Sequence, residues 1–282
     1  MIKIIVATDL SQRSALAVQR AVRLVRQQGG GDWALLHVVD DEAPADFVAL
    51  HVQRVEALLN EQAQQLAEQA GSRPRVLVSS GAVERIAVEA TLGLGADLLV
   101  VGAHRKSALR DVFVGTTVER LIRSSHLPVL RVALPALHDY RKALAALDLS
   151  PSSVQALSSA QRLGLLDLQH CEALHALAPQ PKGILADTAI EQRLLENQLA
   201  QTRQALLANL QSEGLALPEG CVRVQAGEPS QVIAAALRQS PADLLVIATH
   251  ARKGLPRLVL GSVASALLAD LACDVLCVPP HA

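Results

Sequence analysis

Aromatic side chains are almost missing from this chain of 282 residues, which holds one Trp, one Tyr and two Phe: Trp33, Tyr140, Phe47 and Phe113. Single-stranded nucleic acid is bound on stacked rings, so that class of partner is not expected. A surplus of either charge is missing as well. Residues 1–139 carry 15 Lys+Arg against 15 Asp+Glu, and residues 140–282 carry 11 against 12, so neither half presents the field that a polyanionic partner selects. Long apolar runs are absent too: about 18 uncharged apolar residues never follow one another, and no membrane-spanning helix is expected. The opening stretch Met1-Ile-Lys-Ile-Ile-Val-Ala-Thr-Asp9 reaches an acid after too short an apolar run for a signal peptide. The expectation is a soluble, cytoplasmic protein. Cysteine is scarce, and all four (Cys171, Cys221, Cys273 and Cys277) lie in the second half without the paired spacing of a zinc site or a secreted disulfide framework. Cys273 and Cys277 fall along one predicted strand, where four residues span roughly 13 Å, too far for a disulfide. They read as small buried hydrophobes.

What is present in abundance is Leu, Ala and Val, in a chain long enough for two domains of about 140 residues. Self-similarity divides it that way. Ala96-Asp-Leu-Leu-Val-Val-Gly-Ala-His104 recurs as Ala242-Asp-Leu-Leu-Val-Ile-Ala-Thr-His250 at an offset of 146. The same offset carries Gly115 onto Gly261 and Pro128-Val-Leu-Arg-Val132 onto Asp274-Val-Leu-Cys-Val278. Nearer each start the offset shrinks, pairing Leu36-His37 with Leu174-His175 and Asp9-Leu-Ser11 with Asp148-Leu-Ser150. The copies are placed at residues 1–135 and 140–282, joined by Leu134-Pro-Ala-Leu-His-Asp139, in which Pro135 blocks continuation of the sheet. So short a linker implies packed domains.

Within the first copy, apolar runs alternate with amphipathic helical patterns, which predicts a parallel sheet covered by helices. Strands are predicted at Ile2–Thr8, Trp33–Val39, Arg75–Ser79, Asp97–Gly102 and Pro128–Ala133. Helices are predicted at Gln12–Gln28, capped by Ser11 and stopped by the Gly29–Gly31 run, at Pro44–Ala70, at 82–92 and at Thr116–Ser125. The second copy follows the same order. Its first strand, Lys142-Ala-Leu-Ala-Ala-Leu147, would be a helix on propensity alone, and the repeat overrides that reading.

Leu98-Leu-Val-Val-Gly-Ala-His104, followed by Val114-Gly-Thr-Thr-Val-Glu-Arg120 and Pro128-Val-Leu130, resembles the C-terminal half of a universal stress protein domain. With Asp9-Leu-Ser11 ending the first strand and Leu36-His-Val38 in the second, the resemblance covers essentially the whole chain. It implies an α/β fold of two tandem doubly wound, Rossmann-like domains, each a five-stranded parallel sheet in the order 3-2-1-4-5. It also implies dimerisation through the last strands. Both last strands belong here to one chain, so Pro128–Ala133 and Asp274–Val278 are expected to meet across a pseudo-twofold axis, an intrachain pseudo-dimer that leaves homodimer formation open.

Nucleotide-binding members of that family carry G-x2-G-x9-G-[S/T], a loop and helix start that hold the phosphates of ATP. The first copy reads Gly102-x2-Arg105-x9-Gly115-Thr116, and the second reads Ala248-x2-Ala251-x9-Gly261-Ser262. Neither is intact. Glycine serves such a loop by adopting positive φ and by letting N–H groups approach phosphate. Arg105 either crowds that path or adds a charge-assisted contact, and the balance favours loss or narrowing of triphosphate binding. Gly115-Thr116-Thr117 opening a helix supplies free donors for an anion. Thr116-x-x-Glu119 equally fits a capping box that uses those donors internally, and both hold if phosphate takes only what the cap leaves.

Asp9 and Asp148 end the first strand of each copy, where strand order reverses and leaves a crevice. The resemblance implies that Asp9 contacts the adenosine moiety and that Val38 offers its backbone to the base. Alternatively, both acids cap the turn with Ser11 and Ser150. His104 and His250 lack ligand-spaced neighbours and read as loop residues. No catalytic set or P-loop lysine is found, so no catalytic residue is assigned and any ATP hydrolysis is expected to be slow and incidental. The first expectation is a stress-response protein binding ATP or AMP, with Mg accompanying the nucleotide and no other metal. The other is a scaffold that takes an apolar ligand, or none, and acts through unidentified protein partners.

Overall fold

The computed structural model describes residues 1–103, 116–178, 188–218, 220–249 and 261–280. In the first copy the strands are β1 (Ile4–Ala7), β2 (Trp33–Val39), β3 (Arg75–Ser80), β4 (Leu98–Gly102) and β5 (Val129–Val132). Between them run α1 (Gln12–Gln27), α2 (Ala45–Ala70), α3 (Val83–Leu94) and α4 (Thr117–Ser124). The second copy repeats the plan with β6 (Ala143–Ala146), β7 (Cys171–Leu177), β8 (Val222–Ala226), β9 (Leu244–Ala248) and β10 (Asp274–Val278). Its helices are α5 (Pro151–Arg162), α6 (Thr188–Ser212), α7 (Pro229–Gln239) and α8 (Ser262–Asp270).

Local chemistry sets several of these boundaries. Ser11 caps α1 by accepting from the Ser14 amide at 3.3 Å. Gly71 ends α2 at φ 77°, a left-handed conformation open to glycine at no steric cost. Trp33, the one tryptophan, is buried at the start of β2 and donates its indole N–H to the Ser72 carbonyl at 3.0 Å.

All ten strands form one sheet in the order β3-β2-β1-β4-β5-β10-β9-β6-β7-β8. Each copy therefore has the order 3-2-1-4-5 expected of it, with parallel neighbours throughout, and the copies join by the antiparallel pair β5 and β10. Leu130 stands opposite Leu276, its own repeat equivalent, while Val129 faces Cys277 and Arg131 faces Val275. The pseudo-twofold axis passes through the Leu130–Leu276 pair.

Strand side chains alternate between two apolar layers. Ile4, Val6, Leu98 and Val100 belong to the layer under α1 and α2, and Ile5, Leu99 and Val101 belong to the layer under α3 and α4. Each layer runs on into the second copy, through Leu276 and Val278 on one face and Val275 and Cys277 on the other. The two halves thus share their cores. All four cysteines are free, and burial raises the thiol pKa of Cys171 and Cys277 to about 12 and that of Cys273 to about 11.

Polar groups pin the junction. Asp274, fully buried, accepts from the Ala133 and Leu134 amides at 2.7 and 2.9 Å through Oδ1, and from the Tyr140 hydroxyl at 2.6 Å through Oδ2. Arg20 of α1 forms an ion pair with Asp274 at 3.3 Å, donates to the His138 carbonyl at 2.9 Å and lies 4.1 Å from the Tyr140 ring centre. Burial, followed by the negative charge of Asp274, holds the Tyr140 phenol well above its usual pKa, so it stays a donor. Arg131 reaches the other way, to the Leu271 and Cys273 carbonyls at 3.3 and 3.2 Å.

Candidate functional site

The switch point of the first copy lies at the carboxyl ends of β1 and β4, whose helices leave to opposite faces. A cleft of about 250 Å³ opens there. Its floor comes from Ala7 and Thr8 of the first strand and its turn, its walls include Val38 and Gly102, and Asp9, Arg13 and Thr117 stand around it.

The turn after β1 is tightly wired. Thr8 shares a buried hydroxyl hydrogen bond with Ser14 at 3.0 Å and accepts from the Leu10 amide at 3.1 Å. Leu10 has φ 64°, making it the one non-glycine residue at positive φ among the described residues. For a leucine that conformation costs about 1–2 kcal/mol, and strain of this kind gathers where a turn has to present a side chain. The side chain presented is Asp9, exposed, with its Oδ1 accepting from the Ser11 amide at 3.0 Å. Partial burial pushes the Asp9 pKa up, but hydrogen bonds from Ser11 and Ser14 outweigh it, so the net shift is downward and the carboxylate is ionised at neutral pH.

His37, 9% exposed, sits behind this turn, and its Nδ1 meets the Thr8 carbonyl oxygen at 2.8 Å. A carbonyl only accepts, so Nδ1 carries the proton. His175 makes the equivalent contact to the Leu147 carbonyl at 2.9 Å. Pairing Leu36-His37 with Leu174-His175 in the repeat flagged these residues, but nothing in the sequence told that each tethers the second strand of its copy to the end of the first.

Next to the lining residues Thr117 and Val118, Thr116 is the N-cap of α4. Its hydroxyl accepts from the Glu119 amide and its own amide donates to the Glu119 carboxylate, both at 3.2 Å, so the capping box is complete. The amides of Thr117 and Val118, the first two of the helix, are not used by the box. The Thr117 hydroxyl accepts from Arg120 at 3.1 Å, which leaves its proton free to donate.

Gly102 ends β4 where there is no room for a side chain: a Cβ would lie 2.8 Å from the Arg13 carbonyl oxygen and 3.0 Å from the Ser14 nitrogen. The first turn of α1 rests directly on the strand end. Arg13, now at the cleft, was not singled out by sequence reasoning, since its one signal is its spacing from Asp9. Arg105 and Gly115, with His104, His250 and Ala251, lie outside the described residues.

The second copy forms a matching cleft of about 240 Å³ that contains Asp148, Gly261 and Ser262. Asp148 accepts from the Ser150 amide at 2.8 Å and also from the Ser150 hydroxyl. Gly261 caps α8 with no side-chain bond. Ala248 replaces Gly102, Ser152 replaces Arg13, and Leu147, Ile233, Ile247 and Leu267 make the walls more apolar. The sequence-selected residues among those described are therefore brought together in two groups, one per copy, at the carboxyl ends of β1 and β4 and of β6 and β9. Among the described residues no helix is long and apolar enough to cross a membrane, and no cluster of three or more His, Cys, Asp or Glu could hold a metal ion.

The model of the universal stress protein family matches this chain twice, at residues 1–133 and 139–279. Universal stress protein E of Salmonella typhi is 24% identical over 295 residues, an alignment covering 98% of this chain and 93% of that protein. A universal stress protein of Methanocaldococcus jannaschii is 29% identical over 144 residues, covering 47% of this chain and 82% of its own length. Among solved structures, a protein of unknown function from Pseudomonas aeruginosa superposes with a TM-score of 0.72 at 20% identity, covering 99% of this chain and 92% of that one. The tandem match, together with the fold it predicts, establishes that the chain belongs to the universal stress protein family, as a member built from two copies of the domain.

Proposed function

We propose that this stress-response protein binds an adenine nucleotide, AMP or ATP, in the cleft of its first copy, and that it acts by binding, with any ATP hydrolysis slow and incidental. The domains carrying this function are taken as 1–135 and 140–282. The observation that supports the reading best is that two unlike groups line one cleft, the ionised Asp9 and the first turn of α4, where the capping box leaves the Thr117 and Val118 amides free. A carboxylate accepts from ribose hydroxyls, and open amides favour an anion. Between them Val38 offers backbone and an apolar flank for the base. At about 250 Å³ the cleft lies just below the range of about 300–1,000 Å³ usual for small-molecule sites. It suits a nucleoside, with phosphate at its mouth. Mg would accompany a bound triphosphate and is assigned no protein ligand.

Isothermal titration of the whole chain with AMP and ATP tests this, with Asp9→Ala as control. The expected outcome is binding by the native chain and a loss of roughly tenfold in affinity for Asp9→Ala, as for a hydrogen bond to a charged group. Absence of both heat and thermal shift with either nucleotide would sink the reading. The apolar walls of the second cleft favour a different reading for that copy, an uncharged apolar guest or none, and the function of that half then lies in protein partners.

A further inference from the structure

We propose that Arg13 is the residue that sets the ligand class of the first cleft, by supplying the positive charge that selects a nucleotide over its nucleoside; this rests on the adenine-nucleotide reading above. Arg13 is the second residue of α1, exposed at the edge of the cleft. Among the described residues no hydrogen bond or ion pair holds its guanidinium.

Its position is unfavourable for the fold taken alone. The first turn of a helix carries the positive end of the dipole, where a cation is disfavoured and an acid is preferred. The first turn of α1 holds no acid. An unpaired arginine there opposes its own helix, and an anion bound in the cleft removes the conflict.

The backbone beneath Arg13 is held to the site by a contact that only glycine allows. Gly102 lets the Arg13 carbonyl approach the end of β4 to where a Cβ would sit at 2.8 Å. This anchors the root of an exposed side chain beside the cleft that Arg13 lines. In the second copy both halves of the arrangement are gone together, with Ala248 for Gly102 and Ser152 for Arg13. The Ser152 hydroxyl is instead paired with Ser150 at 2.9 Å. The first cleft thus carries one charge of each sign, Asp9 and Arg13. The Asp9 carboxylate repels phosphate and takes hydroxyls, and the phosphate is left to the first-turn amides of α4 and to Arg13, whose planar fork suits it.

Titrating the whole chain with AMP and with adenosine, for the native protein, Arg13→Gln and Arg13→Lys, tests this assignment. The native chain is expected to bind AMP more tightly than adenosine. Arg13→Gln should lose about tenfold or more for AMP while adenosine binding is unchanged, and Arg13→Lys should recover part of the loss. Arg13→Gln should also melt no lower than the native chain, because a misplaced charge has been removed. Equal AMP affinity in Arg13→Gln and native protein overturns the role of Arg13 and leaves the nucleotide reading standing. A lower melting temperature with equal loss of both ligands makes Arg13 a structural residue and overturns it as well. If the native chain takes neither AMP nor adenosine, both readings fall.

Discussion

His37 shows how a single side chain couples the candidate site to pH. Burial lowers its pKa below the usual 6.5; the Thr8 hydrogen bond and the Asp9 charge pull it back up in part, and His51 pushes it further down. The folded protein therefore resists protonation at a pH where the unfolded chain accepts it. Between the unfolded value of about 6.5 and the lower folded one, the unfolded state binds more protons, so stability rises with pH across that window. The contribution is complete above the unfolded value and is lost as the pH falls toward the folded one. Urea midpoints measured at pH 7.5 and pH 5 should show a drop for the native chain, and a smaller drop for His37→Gln, whose amide can still donate to the Thr8 carbonyl. An identical pH dependence in the two proteins would remove His37 from this account. Its position also explains why a histidine recurs at residue 175: the carbonyl ending the first strand needs a donor from the neighbouring strand.

Elements differ in how far their own residues declare them. β2 and β4 are mainly apolar runs, Trp-Ala-Leu-Leu-His-Val-Val and Leu-Leu-Val-Val-Gly, and their bounds match the predicted ones closely. The opposite case is β6, whose Ala-Leu-Ala-Ala sequence favours a helix, yet it runs between β7 and β9 in the middle of its half of the sheet. Only comparison with β1 made it legible. Small residues suit the place, since Ala143 and Ala145 are buried beneath the helical layer with almost no surface left. The spacing of the glycine motif was legible too, but the physical role of Gly102 was not, because it depends on a helix 88 residues earlier in the chain, at Ser14. Arg13 escaped notice for the same reason. Gly102→Ala should force α1 off the end of β4 and destabilise the protein by about 1–3 kcal/mol, as overpacking does, measured by urea unfolding. A loss under about 0.5 kcal/mol would mean that the strand end yields easily, as Ala248 must allow in the second copy.

The whole molecule is a dimer written into one chain, and its asymmetry is what a true homodimer cannot have. The axis through Leu130 and Leu276 makes Pro128 the equivalent of Asp274, and Arg131 the equivalent of Cys277. One side of the axis thus carries the buried cluster of Arg20, Tyr140 and Asp274, and the other side carries none of its charges. Two identical subunits would have to bury the cluster twice or not at all. Fusion permits one, placed where Asp274 receives the amides of Ala133 and Leu134, at the start of the linker. The linker is thereby fixed to the second copy at its first residues and to α1 at its last, through Arg20 to His138 and the Arg23–Asp139 pair. Removing one member of a buried charge pair strands the other, at a cost of about 3–5 kcal/mol. Asp274→Ala should lose about that much in guanidinium unfolding, because it orphans Arg20, the Tyr140 hydroxyl and two amides together. Asp274→Asn keeps an acceptor oxygen for those amides and should lose less. Equal, small losses of under about 1 kcal/mol in both variants would show that the continuous sheet holds the halves together without the cluster. In the expected case the polar junction, and not the three-residue pairing of β5 with β10 alone, holds the two copies together.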